Sequence, residues 1–167
     1  MSGKHAQELF ANELATDHLQ RALYSARHLP EQETSERRLE ATVSLGELLT
    51  TTGEYDRALA RLLQAHEMAA ERGDNQRVAR ACRWLARLHE LRSEYMEAVA
   101  WIQEGLVALD GAETVEMMQL LLIAGLINTR LGNYESASNQ CEICLRVAEK
   151  LGEVAVLARS YTLLGHL

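Results

Sequence analysis

Arg80, Arg83 and Arg87 recur at spacings of three and four, which on a helix sets three guanidinium groups on one face. Such a face can grip a carboxylate through forked, bidentate hydrogen bonds. Trp84 stands beside Arg83 and offers an indole of the kind that anchors a binding partner. A structural role competes with this one. Glu40 and Glu47 precede Arg80 and Arg87 by 40 residues, so stacked helices would pair acid with base and leave Arg83, opposite Val43, without an obvious mate. Trp84 can likewise simply pack. Both roles stay open, with Arg83 the best single candidate for a ligand contact.

Other chemistry-bearing residues form no catalytic pattern. Cys141-Glu-Ile-Cys144 has the spacing of half a zinc site or of a redox pair, yet no second Cys or His pair completes a tetrahedral set. Both sulfurs fall on what reads as a buried helical stripe, where cysteine acts as a small apolar residue. The histidines His5, His18, His28, His66, His89 and His166 share no metal-like spacing, and no glycine-rich phosphate loop is present. Asp17, Asp56, Asp74 and Asp110 fall near expected helix starts or loops, where capping explains them. The chain reads as non-enzymatic, with no cofactor and no metal.

The elements that must position these residues are helices. Ala, Glu, Lys, Leu and Arg make up over half of the 167 residues, and Pro30 is the single proline. With 24 acidic against 17 basic side chains and a net charge of −7, a nucleic-acid surface is disfavoured. The longest apolar run, Leu120 to Leu126, is far short of a membrane span, and no signal peptide opens the chain. Three cysteines do not make a disulfide framework, so a reducing cytoplasm is the expected compartment.

Three segments align without gaps: Leu45-Gly46-x6-Gly53-Glu-Tyr55-Asp-Arg-Ala58, Leu85-Ala86-x6-Ser93-Glu-Tyr95-Met-Glu-Ala98 and Ala124-Gly125-x6-Gly132-Asn-Tyr134-Glu-Ser-Ala137. Their tyrosines lie 40 and 39 residues apart. Each period reads as two antiparallel helices joined by a short loop, and the pattern predicts helices at 13–29, 35–52, 55–71, 75–91, 95–109, 113–131, 134–151 and 154–167. Gly53 and Gly132 end first helices in the left-handed conformation, while Ser93 is expected to cap the helix that follows. Tyr134, Ala137, Cys141, Cys144, Leu145, Ala148 and Leu151 form one apolar stripe. The small residues Gly46, Ala86 and Gly125 face Ala58, Ala98 and Ala137 where paired helices approach most closely. Trp101 is placed over a seam between repeats.

This arrangement resembles the tetratricopeptide repeat, whose marks here are Leu45, Gly46, Gly53, Tyr55, Ala58, Leu62 and Ala65. The period is that of its longer variety, and the closing proline of the short form is missing. The resemblance implies an all-α superhelix of antiparallel helix pairs: a partial repeat at 4–30, repeats at 35–71, 75–109 and 113–151, and the first helix of another at 154–167. It also implies a concave groove lined by first helices as the binding surface. Positions that often carry groove-lining asparagine hold Ser44, Trp84, Ile123 and Leu163 instead.

The amino end, with Leu9-Phe10-Ala11-Asn12, His18-Leu19-Gln20-Arg21-Ala22-Leu23 and Ala26-Arg27-His28-Leu29-Pro30, is similar to helical arrays of bacterial multidomain signal-transduction ATPases, adenylate cyclases and transcriptional regulators. That implies a cytoplasmic scaffold or sensor segment of a larger bacterial signalling protein, binding a protein or peptide through Arg80, Arg83, Trp84, Arg87, Leu122 and Leu126. Residues 117–127 are apolar on nearly every side, and Leu122 and Leu126 are expected to point into the groove. They would serve a partner or a homodimer there, or be covered by the helix at 154–167. A small acidic ligand in the groove is a further alternative.

Overall fold

The computed structural model describes residues 2–26 and 31–153, together with Ser160 and Gly165. The described residues form α1 (Ser2–Ala26), α2 (Glu31–Thr51), α3 (Tyr55–Ala70), α4 (Asn75–Leu91), α5 (Tyr95–Leu109), α6 (Val115–Arg130) and α7 (Tyr134–Leu151). The fold is an all-α helical repeat in which α2 packs on α3, α4 on α5 and α6 on α7. The expected first helix extends to residue 2, so Asp17 lies inside it, paired with Arg21 at 2.9 Å, and not near a helix start. The helix expected at 154–167 lies outside the described residues, Ser160 and Gly165 excepted. No helix among those described is long and apolar enough to cross a membrane.

The same turn is built three times. Glu54 N–H donates to Leu49 O at 2.9 Å, Glu94 to His89 at 2.9 Å and Asn133 to Asn128 at 2.8 Å, each closing the wide ring of a Schellman cap. The cap demands one left-handed residue, supplied by Gly53 at φ +83° and Gly132 at +77°. In the middle repeat Ser93 takes it, at +62°. This corrects the expectation that Ser93 caps α5: the turn geometry outweighs the side chain's preference, and Glu94 occupies the N-cap position without a side-chain bond. Side chains brace two of the turns, His89 Nδ1 meeting Glu94 Oε2 at 2.6 Å and Asn133 Nδ2 donating to Asn128 Oδ1 at 3.2 Å.

The chain divides into two compact units, Met1–Gly73 and Asp74–Leu167. In the first, α2 sits between α1 and α3 and buries Leu39, Val43, Leu45 and Leu49. Gly46 admits Leu62 of α3 directly over its backbone, as the pairing of small residues requires.

In the second unit α6 serves two cores. Leu120, Ile123, Ala124 and Ile127 pack with α4 and α5, where half-buried Trp101 covers the seam. Met118, Leu121 and Leu122 pack with Cys141, Cys144, Val147 and Ala148 of α7. A helix pressed on both sides is apolar nearly all round, and each fully buried leucine contributes ~2 kcal/mol. The stripe on α7 holds in its middle but not at its ends: Tyr134 is 54 % exposed and Leu151 is exposed too, because the contacts of α7 with α6 centre on Cys141 to Ala148.

Candidate binding face on α4 and α6

The face begins at the start of α4. Asp74 caps the helix, its Oδ1 accepting from Arg77 N–H at 3.0 Å, and Arg77 Nη1 lies 2.6 Å from Oδ2 of the same carboxylate. From that start, three- and four-residue spacing carries Arg80, Arg83, Arg87 and Glu90 along one side of the helix. The structure thus brings the three predicted arginines together on one face with Trp84.

Arg83 has a mate. Its Nε lies 2.6 Å from Oε2 of Glu116 on α6, an ion pair whose angle is off the line of a hydrogen bond at that N–H. The expectation of an unmatched arginine is therefore corrected: the adjacent first helix supplies the acid from its own first turn. The Arg83 guanidinium also lies over the Trp84 ring, 4.8 Å from its centroid, where a cation meets the negative face of the π system. Trp84 is half-buried, and its Nε1–H is shielded from water without an acceptor among the described residues.

Arg87 is engaged as well. Glu90, 0 % exposed, receives Arg87 from one turn back on α4 and Arg130 from the end of α6. Two cations compensate one carboxylate that has lost its water, the arrangement a buried charge requires. Glu90, Arg130 and Glu116 were not singled out in the sequence, although Arg130 lies one period beyond Glu90.

Leu122 and Leu126 do not form an exposed pair. Leu122 is 5 % exposed within the α6–α7 cluster, and half-buried Leu126 packs against it. The physical reason is the double duty of α6, whose turn between the two cores leaves Leu122 on the α7 side.

Cys82, Cys141 and Cys144 are free thiols, fully buried. Burial first, and the Glu104 carboxylate second, push the Cys82 thiol up to about 12. Burial and its neighbour Cys144 also raise Cys141. Cys144 Sγ donates to Met118 O at 3.4 Å, and Ser160 Oγ lies 3.4 Å from Cys144 Sγ. Elsewhere in the unit, a hydrogen bond from Lys150 holds Glu113 below its ordinary carboxylate value.

What the face offers chemically is recognition. Its guanidinium groups are held in fixed positions by Glu116 and Glu90, with unused donors remaining on each fork, and the indole lies beside them. No protein-family model matches the chain, and no curated protein sequence matches it.

Proposed function

We propose that this chain is a tetratricopeptide-like scaffold segment that binds a protein or peptide and performs no catalysis. The observation that carries the reading is the threefold recurrence of one capped turn, at 49–54, 89–94 and 128–133. A chain that repeats one helix pair presents like faces of successive first helices, and extended binding surfaces of this kind are what repeat proteins use. The pre-set arginines and indole on α4 give that surface its polar and aromatic contacts. Within this proposal the segment belongs to a larger cytoplasmic bacterial signalling protein, as its amino end suggests. Self-association through α6 has less to work with, since Leu122 and Leu126 belong to the core.

The test is affinity capture from lysate of the source cells with the wild-type chain and with a Trp84→Ala, Arg80→Ala variant of unchanged helicity. Loss of one specific partner supports the reading. The same captured set from both proteins overturns it.

A further inference from the structure

The first unit carries a trench bounded by α1, α2 and α3. Three adjoining hollows, one of 280 Å³ and one of 220 Å³ flanking a narrow neck, all include Leu23 of α1 in their lining. Their polar walls hold Arg37 and Arg38 from α2 and Arg57 and Arg61 from α3. No carboxylate lines any of the three among the described residues, in a chain whose net charge is −7. Hydroxyls and amides of Thr34, Thr42, Gln20 and Gln64 complete the rim, and Tyr24 stands exposed beside it. Acidic side chains return only in the next hollow, around Glu13, Asp17 and Glu54.

We infer that this trench is a docking site for a short, extended acidic peptide. The charge decides the sign of the occupant. Arg57 is held by Glu54 and Arg61 Nη1 donates to Gln64 Oε1 at 3.0 Å, but each guanidinium carries five donors and keeps most of them. Partial fixing of the fork lowers the entropy lost when a carboxylate binds.

The shape decides between a peptide and a small anion. The lining on α3 runs from Arg57 to Met68, which at 1.5 Å per residue is about 16 Å, the reach of about five extended residues. A single phosphate cannot bridge that length, and Leu23 in the middle offers an apolar seat between basic flanks. The occupant is therefore an apolar side chain bracketed by carboxylates. The site lies within the first unit alone, so its failure and the failure of the α4 face are separately readable, although it rests on the same reading of the chain as a peptide binder.

The experiment is fluorescence anisotropy of a labelled Glu-Asp-Leu-Asp-Glu peptide on the full chain, at low and at physiological salt. Binding that weakens with salt and falls roughly tenfold in Arg61→Gln supports the site. Arg38→Glu with Arg61→Glu should abolish binding, while Arg146→Glu, an arginine 68 % exposed on α7, should leave it unchanged. Thermal melts of each variant confirm folding, and Arg57→Gln, at an exposed position, serves if the double variant is unfolded. Three results overturn the proposal: no binding by the wild type, equal loss in Arg146→Glu, or tighter binding of a single-stranded oligonucleotide than of the peptide.

Discussion

The carboxylate of Glu90, at the end of α4, is met by the guanidinium of Arg130, at the end of α6, 40 residues further along the chain. With Arg87 on the other side, the acid is sealed from water by two bases that both remain partly exposed. The neighbouring repeats solve the same position differently. Thr50 and Thr129 stand where Glu90 does, and each returns its hydroxyl to its own helix, at 2.8 Å from Gly46 O and 2.8 Å from Gly125 O.

That comparison predicts an asymmetry. Arg130→Ala leaves a buried carboxylate with half its compensation and should cost ~3 kcal/mol, the scale of a broken buried pair. Glu90→Thr restores the self-bonded hydroxyl of the other repeats and leaves only screened arginines, so it should cost about 1 kcal/mol or less. Urea unfolding of both variants checks this. A larger loss for Glu90→Thr would mean that the triad is net stabilising and that the threonine solution does not transfer.

The repeat was legible because it is written in spacing. Tyrosines at 55, 95 and 134, and small residues eight before Gly53 and Gly132, mark the boundaries to within a few residues from α2 to α7. The site was legible only as a face. Which acid reaches Arg83 depends on how far α4 and α6 are offset along their axes, and long side chains choose among partners that differ by a turn. Glu116 lies 33 residues beyond Arg83 and so escapes a rule that looks one period ahead. Leu122 misled for a related reason, since apolar excess on a helix does not say whether the second contact is a partner or the chain itself.

Ser93 sits at φ +62° in a position that its two counterparts give to glycine, and a side chain there pays a steric penalty that glycine avoids. Ser93→Gly should therefore stabilise the chain by ~1 kcal/mol, the scale of left-handed strain, less the entropy glycine adds to the unfolded state. The reverse change, Gly53→Ser, should cost a similar amount. Thermal melts of both variants are sufficient, and a destabilised Ser93→Gly would show that the serine hydroxyl makes a compensating bond.

Gly46 is small for a packing reason. A Cβ built there would lie 2.5 Å from Leu62 Cδ2 and 2.7 Å from its Cγ, and Leu62 is fully buried, with no room to swing aside. Alanine normally gains about 1 kcal/mol over glycine within a helix, but overpacking of this degree costs about 1–3 kcal/mol. Gly46→Ala should thus destabilise by ~1 kcal/mol. In a Leu62→Ala background the clash is gone and the same substitution should become neutral or favourable, a sign change that a double-mutant cycle reads directly.

Cys82 links burial to alkaline stability. Its thiol is pushed up to about 12, so the folded chain keeps a proton that the unfolded chain releases near its ordinary value of 9.0. Folding is then favoured by the full difference below that ordinary value, and the contribution is lost as pH rises toward 12. Two outcomes follow. Native protein at mildly alkaline pH should leave all three cysteines unmodified by iodoacetamide, since thiolate is the reactive species and each sulfur is sealed from solvent. Between about pH 8 and pH 11 the stability gap between wild type and Cys82→Ala should narrow, because only the wild type loses this term. Rapid alkylation of Cys82 in the folded chain, or a gap that stays constant with pH, would refute the link between the Glu104-flanked burial of this thiol and the stability of the fold.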